Sequence, residues 1–176
     1  FWSMLQGFQT SGKCVDKAHY RIRYMKSFRP ISVKEDIEFK EARPILYLNM
    51  AAVASLFNSR NMNATANRSN WSTIMSYLKS HSSFLGLKQD RFTILLPSGL
   101  PDYSFEMVNN EQVKKVKVNR PKALCFDYLQ LKEAFGLELE TEIISDKQEV
   151  MEDNLTGQEP SNVQIQGFPS QRDLPL

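Results

Sequence analysis

The stretch NWSTIMSYLKSHSSFLGLKQDRFTILL, residues 70–96, decides the fold that the sequence predicts. Its first half carries four large apolar residues at the spacing that places them on one face of a helix, namely Trp71, Ile74, Met75 and Leu78. At its end the period changes to two, which puts Phe92, Ile94 and Leu96 on one face of a strand. We therefore predict a helix over 71–80, capped by Asn70 or Ser69, and a strand over 92–96.

Another helix is predicted before this stretch, and further strands after it. Residues 45–58 carry apolar side chains around a wide face, which is typical of a central, largely buried helix. Alternating residues over 103–107 and 113–118 predict two more strands, which complete a three-stranded antiparallel meander with 92–96. Pro121 begins a last helix that runs to Phe135, with Gly136 as its C-terminal cap.

Two segments near the start leave alternatives open. The alternation over 19–26 predicts a strand with tyrosines on one face and arginines on the other. Such a strand can bind single-stranded nucleic acid, or it is half buried with its tyrosines in the core. Ser32 and Glu35 match a capping box that favours a short helix, although the apolar residues around them also allow an extended chain.

These elements predict an α+β fold, with a single compact domain over residues 1–139. A helix-turn-helix-like pair, 45–58 and 71–80, is followed by the meander and the C-terminal helix. This order of elements resembles that of a winged helix. No motif residue in the chain supports a named family.

The charge of the chain is divided between a basic body and an acidic tail. Residues 1–134 hold 20 Lys and Arg against 11 Asp and Glu, whereas residues 135–176 hold 2 against 9. The composition over 140–176 predicts a disordered or extended tail. The basic body favours nucleic acid as a partner, and the tail can bind a partner or fold back on the body.

No catalytic, metal or cofactor signature accompanies these elements, so we predict that the chain is not an enzyme. His81 lies beside Ser80, Ser82 and Ser83, but adjacent Ser and His rarely reach triad geometry. Cys14 and Cys125 are far apart and have no ligand-spaced neighbours. No phosphate-binding glycine loop, small-molecule site, membrane span or signal peptide is recognisable. We therefore expect an intracellular fragment of a longer protein, in the nucleus rather than the cytoplasm.

The leading functional hypothesis is binding of DNA or RNA within a larger regulatory protein. In that hypothesis the helix that follows Asn70 is the recognition helix, and the lysines and arginines around it contact phosphate. The candidate residues are Arg60, Arg68, Asn70, Ser72, Thr73, Lys79, Lys88, Arg91, Lys114, Lys115 and Lys117.

The alternative hypothesis is a protein-interaction or scaffold module of a multi-subunit assembly. It accounts for the many aromatic residues and for an acidic tail that binds another protein subunit. The three lysines over 114–117 suit either hypothesis, because lysines on an edge strand also prevent strands of different molecules from pairing. The sequence does not decide between the two.

Overall fold

The computed structural model describes residues 1–61 and 71–141, and the side chains of 58–61 lie outside this description. The fold is α+β, with antiparallel strand pairing throughout the described ladders. The helices are α1 (Trp2–Thr10), α2 (Met50–Asn61), α3 (Trp71–Ser80) and α4 (Tyr128–Phe135). The strands are β1 (Tyr20–Phe28), β2 (Ile37–Asn49), β3 (Phe84–Gln89), β4 (Phe92–Thr93), β5 (Tyr103–Val108), β6 (Glu111–Val116), β7 (Val118–Asn119) and β8 (Lys122–Asp127).

A four-stranded sheet in the order β1-β2-β8-β3 forms the centre of the domain. Apolar residues on one of its faces, such as Leu46 and Phe126, pack with the buried side chains of the helices in the larger core cluster. The other face carries a smaller cluster that includes Tyr47, Phe92 and Cys125. Because both faces of β2 and β8 are covered, these central strands are apolar over consecutive residues.

The predicted helix over 45–58 is wrong in its first five residues. Residues 45–49 end strand β2, and the helix begins only at Met50. Ile45 to Leu48 are all buried, alternately on the two covered faces of the sheet. A fully buried strand has no polar face, so its sequence shows the same continuous apolar run as a buried helix.

The predicted helix over 121–135 is wrong over 121–127, for the same physical reason, and confirmed over 128–135. Residues 122–127 form β8, which pairs with β2 on one side and β3 on the other. Helix α4 begins at Tyr128, where Asp127 caps it by accepting hydrogen bonds from two backbone N–H groups. The predicted cap at Gly136 is confirmed, because this glycine has φ 61° in the left-handed region.

Other predicted elements are found where the sequence placed them. Helix α3 spans 71–80, and β1 contains the predicted alternation. The short helix predicted from Ser32 does not form: residues 31–36 make turns, and the extended alternative holds only from Ile37, where β2 begins. The cap at Asn70 or Ser69 lies outside the described residues.

The structure does not confirm a three-stranded meander. The predicted strand over 92–96 is reduced to the two residues of β4, which pair with β7. Strands β5 and β6 pair with each other as a separate two-stranded hairpin. We call this hairpin, residues 103–116, the arm.

The chain after α4 is attached to the domain up to the last described residue. Leu137 is fully buried and Leu139 nearly so, and the backbone N–H of Leu139 donates to the hydroxyl of Tyr128 at 2.8 Å. Tyr20 donates to the carbonyl oxygen of Glu140, and Thr141 donates to Asp16 at 3.1 Å. The remainder of the predicted tail, 142–176, lies outside the described residues.

Buried His19 makes the stability of the domain sensitive to acid. Its Nδ1 accepts a hydrogen bond from the backbone N–H of Val15 at 3.0 Å, and burial lowers its pKa below the usual 6.5, against a smaller opposing effect of the Val15 backbone. Between the usual pKa of 6.5 and the lower pKa of the folded state, His19 is protonated in the unfolded chain but still neutral in the folded chain. The free energy of unfolding therefore falls as the pH drops through this range.

We expect unfolding by urea to show a loss of about 1 kcal/mol or less between about pH 7.5 and about pH 5 that is absent in His19→Asn. The asparagine amide oxygen can accept the same hydrogen bond but does not titrate. An identical pH dependence in both proteins would assign the effect to other groups.

Candidate nucleic-acid and protein interface

The arm is a regular hairpin that lies outside the core. Its strands pair from Tyr103 opposite Val116 to Val108 opposite Glu111. Asn109 and Asn110 form the turn, with φ 51° and 65°, which asparagine tolerates better than most residues. Every residue from 105 to 120 is exposed. The arm therefore offers both of its faces to solvent.

One face of the arm is apolar. Residues directly opposite each other in a ladder share a face, so this face carries Tyr103, Phe105, Met107, Gln112, Lys114 and Val116. Phe105 is 61% exposed and Met107 is 69% exposed. Two large side chains with this exposure on adjacent same-face positions form an apolar patch of the kind that marks interaction surfaces.

A basic segment runs along β6 and beyond it. Residues 112–122 contain no carboxylate and carry five cations, Lys114, Lys115, Lys117, Arg120 and Lys122, all of them exposed. The candidate residues predicted from the sequence include the first three of these but not Arg120 and Lys122. The signal that could have found them is the absence of any acidic residue over these eleven positions.

The lysines of the basic segment have local partners. Lys115 Nζ lies 3.4 Å from a carboxylate oxygen of Glu106, and Lys117 Nζ lies 2.9 Å from one of Asp102. Lys114 Nζ lies 3.7 Å from the ring centroid of Tyr103, a cation–π contact. Exposed ion pairs contribute little to stability, so phosphate oxygens can replace these carboxylates at small cost.

The candidate residues of α3 lie on its exposed side. Ser72, Thr73 and Lys79 are exposed, while Leu78 is buried in the core. Lys79 occupies the last turn, where its charge complements the C-terminal end of the helix dipole. Arg68 and Asn70 lie outside the described residues, as does the side chain of Arg60.

Two other candidates, Lys88 and Arg91, belong to a different environment. Lys88 Nζ lies 5.2 Å from the ring of Phe28, within the cluster on the second face of the sheet. The carbonyl of Arg91 accepts a hydrogen bond from Arg21 at 3.0 Å. Both residues are half buried and take part in the packing of the domain. The exposed candidates therefore lie on the arm, the segment after it and α3.

The arginine face of β1 has a structural partner that the sequence did not reveal. Asp90 is only 8% exposed, and its carboxylate accepts hydrogen bonds from Arg23 at 2.6 and 3.1 Å. Arg21 lies 3.9 Å from the same carboxylate. The arginines alternate with tyrosines as the nucleic-acid alternative requires, but in the fold they hold the loop at Asp90 against the sheet.

The His81 and Ser83 pair forms a local turn. Ser83 Oγ lies 2.7 Å from His81 Nδ1, and the backbone N–H of Ser83 donates to the same nitrogen at 3.2 Å. Ser83 is fully buried, so its hydroxyl is not open to a substrate. Across residues 1–61 and 71–141, no group of three or more His, Cys, Asp or Glu residues is arranged to hold a metal ion.

An open cleft of about 540 Å³ lies beside Cys14, Asp16 and Tyr20. Burial, followed by the charge of Asp16, raises the pKa of the Cys14 thiol to about 12. The thiol is therefore protonated and unreactive at neutral pH. No helix in the described part of the chain is long and apolar enough to cross a membrane.

The chain matches no protein-family model, and neither a curated protein nor a solved structure matches it significantly.

Proposed function

We propose that the chain binds DNA or RNA through the phosphate backbone, without catalysing a reaction. The observation that supports this proposal best is the exposed basic segment 112–122, with five cations and no carboxylate. A two-stranded ribbon has the width to enter the major groove of duplex DNA, and cations along its edge then lie near phosphates. Binding of this kind is electrostatic and depends strongly on salt.

A winged-helix-like mode is the more detailed form of the proposal. In it the exposed residues of α3, Ser72, Thr73 and Lys79, contact the groove while the arm acts as the wing. The protein then acts as a module of a larger regulatory protein, which favours a nuclear location. Lys79→Glu tests the helix separately from the arm, since it weakens binding only if α3 also contacts nucleic acid.

The double variant Lys114→Glu and Lys115→Glu tests the arm. We expect it to bind duplex DNA or RNA about 10- to 100-fold more weakly, and to lower the slope of log affinity against log salt by about 2. Fluorescence anisotropy with labelled duplex and single-stranded DNA and RNA, at two salt concentrations, gives both values.

The matched control is Lys34→Glu with Lys40→Glu, which makes the same change in net charge at two exposed lysines of the β1–β2 side. We expect this control to bind nearly as well as the wild type at moderate salt. Equal losses in the two variants would mean that net charge alone drives binding. Absence of binding by the wild type at low salt, or binding that is insensitive to salt, would reject the proposal.

A second candidate function, a protein-interaction module, draws support from the apolar face of the arm. Phe105 and Met107 are largely exposed, and an isolated two-stranded hairpin is marginally stable in water. Pairing with a strand of another polypeptide would extend the sheet and place these side chains beside apolar side chains of the partner. Sedimentation of the chain alone tests the simplest form of this candidate, in which the other polypeptide is a second copy.

A further inference from the structure

The two long edges of the arm differ in charge. Strand β6 carries Glu111 at the turn and then Lys114 and Lys115, and it is followed by Lys117, whereas β5, with the sequence YSFEMV, carries the single charge of Glu106. In the part of the chain that the structure describes, β5 pairs with β6 and with no other strand. Its second edge is therefore an open pairing edge rich in large apolar residues.

The phase of the hairpin decides which backbone groups lie on this open edge. In the turn at Asn109–Asn110, the carbonyl of Val108 faces the N–H of Glu111, as is usual for a two-residue connection. Hydrogen-bonded pairs then recur at every second residue, so Ser104, Glu106 and Val108 bond inward to β6. The backbone N–H and C=O groups of Tyr103, Phe105 and Met107 therefore point toward the open edge. The side chains of the same three residues lie on the apolar face.

We propose that the open edge of β5 pairs with the same edge of a second copy of the chain, antiparallel about a twofold axis at Phe105. In this register Phe105 lies opposite its own copy, and Tyr103 lies opposite Met107 of the other chain. Glu106 lies opposite Ser104, so no like charges meet. This inference rests on the interaction-module function and not on nucleic-acid binding.

Neighbouring registers are less favourable because of charge. Moving the axis by one residue toward the turn places Glu106 opposite its own copy, and moving it the other way places Asp102 opposite Glu106. Carboxylates directly opposite each other destabilise a strand pair. The register centred on Phe105 avoids both contacts and joins the two apolar faces into one.

The lysines of β6 limit the assembly to two chains. Pairing through β5 gives a four-stranded sheet in which both outer edges are β6, and lysines on an edge strand oppose further pairing. A contact of identical surfaces about a twofold axis is closed and cannot grow into a filament. The basic segments also remain exposed at the outside of the sheet, where nucleic acid can reach them.

The test is sedimentation equilibrium of the full chain without nucleic acid, with a monomer mass of 20.3 kDa. We expect the wild type to approach twice this mass, and Phe105→Glu to raise the dimer dissociation constant about 100-fold, because two carboxylates then meet at the axis. Within each hairpin the introduced carboxylate lies opposite Lys114, a favourable pair that maintains the monomer fold. The control Val113→Lys lies opposite Glu106 on β6 and should remain dimeric.

A cysteine variant tests the register itself. Hydrogen-bonded antiparallel pairs have Cα atoms about 5.5 Å apart, within disulfide range, so Phe105→Cys should cross-link into a dimer under mild oxidation. Val113→Cys should not, and the native Cys14 and Cys125 are buried. A wild type that is monomeric at every concentration overturns the proposal. The proposal is also overturned if the wild type dimerises but Phe105→Glu does not weaken the dimer and Phe105→Cys does not cross-link it. The contact would then lie on another surface.

Discussion

Substitution of Gly86 by alanine is expected to destabilise the domain by about 3 kcal/mol. Gly86 has φ 128°, a backbone conformation that residues with a side chain rarely adopt. A Cβ placed there would lie 2.7 Å from Cβ of Pro30. Both effects act against the folded state, so the melting temperature should fall by roughly 6 to 12 °C.

The position of Gly86 explains why neither the backbone strain nor the contact with Pro30 can be relieved. It lies in edge strand β3 opposite Cys125, next to an irregularity in the register with β8. The backbone N–H of Ile31 donates to the carbonyl of Leu87 at 2.8 Å, which holds the Pro30 segment against the strand. Alanine would have to displace this segment or strand β3, whose Leu85 packs against the smaller core cluster.

Gly7→Ala is the matched control for Gly86→Ala. Gly7 lies within α1, and a Cβ there meets no atom within 4 Å. Alanine favours the helix over glycine, so this variant should gain about 0.5 to 1 kcal/mol. Thermal unfolding followed by circular dichroism measures both variants. A loss of under about 1 kcal/mol in Gly86→Ala would mean that the Pro30 segment moves freely.

The elements that the sequence predicts correctly are those with one polar face. Helix α3 has Leu78 in the core and Ser72 and Lys79 in solvent, so its period is visible in the sequence. Strands β2 and β8 have no such face over 45–48 and 123–126, and burial on both sides removes the period that distinguishes strand from helix. The order of the central sheet depends on these two strands and was therefore not predictable.

The candidate site could be predicted only in part, for a similar reason. The lysines over 114–117 are exposed because the arm has no core behind it, a fact that depends on where the hairpin projects from the domain. Tyr103, Phe105 and Met107 alternate like residues of a buried face, and the sequence contains no signal that Phe105 and Met107 are exposed. Conversely, Arg21 and Arg23 look like a binding face, but Asp90, 67 residues after Arg23, lies against them.

Asp127→Ala is expected to destabilise the domain by about 2 to 3 kcal/mol. The Asp127 carboxylate is 2% exposed and has two functions. One oxygen accepts hydrogen bonds from the backbone N–H groups of Leu129 and Gln130, at 3.0 and 3.3 Å, and so caps α4. The other lies 2.7 Å from Arg43, which connects the helix start to strand β2. Alanine removes both contacts.

A set of three variants separates these two functions of Asp127. Asparagine is as good a helix cap as aspartate but cannot form the ion pair, so Asp127→Asn should lose only about 1 kcal/mol. Arg43→Met removes the same pair from the other side but leaves the buried Asp127 carboxylate charged and without its cation, so it should lose more than Asp127→Asn, about 2 kcal/mol; water around the 46% exposed Arg43 side chain keeps the loss from being larger.

The difference between Asp127→Ala and Asp127→Asn therefore measures the cap, and it should be about 1 to 2 kcal/mol in urea unfolding. Hydrogen exchange identifies the cause of this difference, since the amides of Leu129 and Gln130 should lose protection in the alanine variant and retain it in the asparagine variant. Equal stabilities of the two Asp127 variants would show that capping of α4 contributes nothing measurable. The ion pair with Arg43 would then account for the stability that this carboxylate provides.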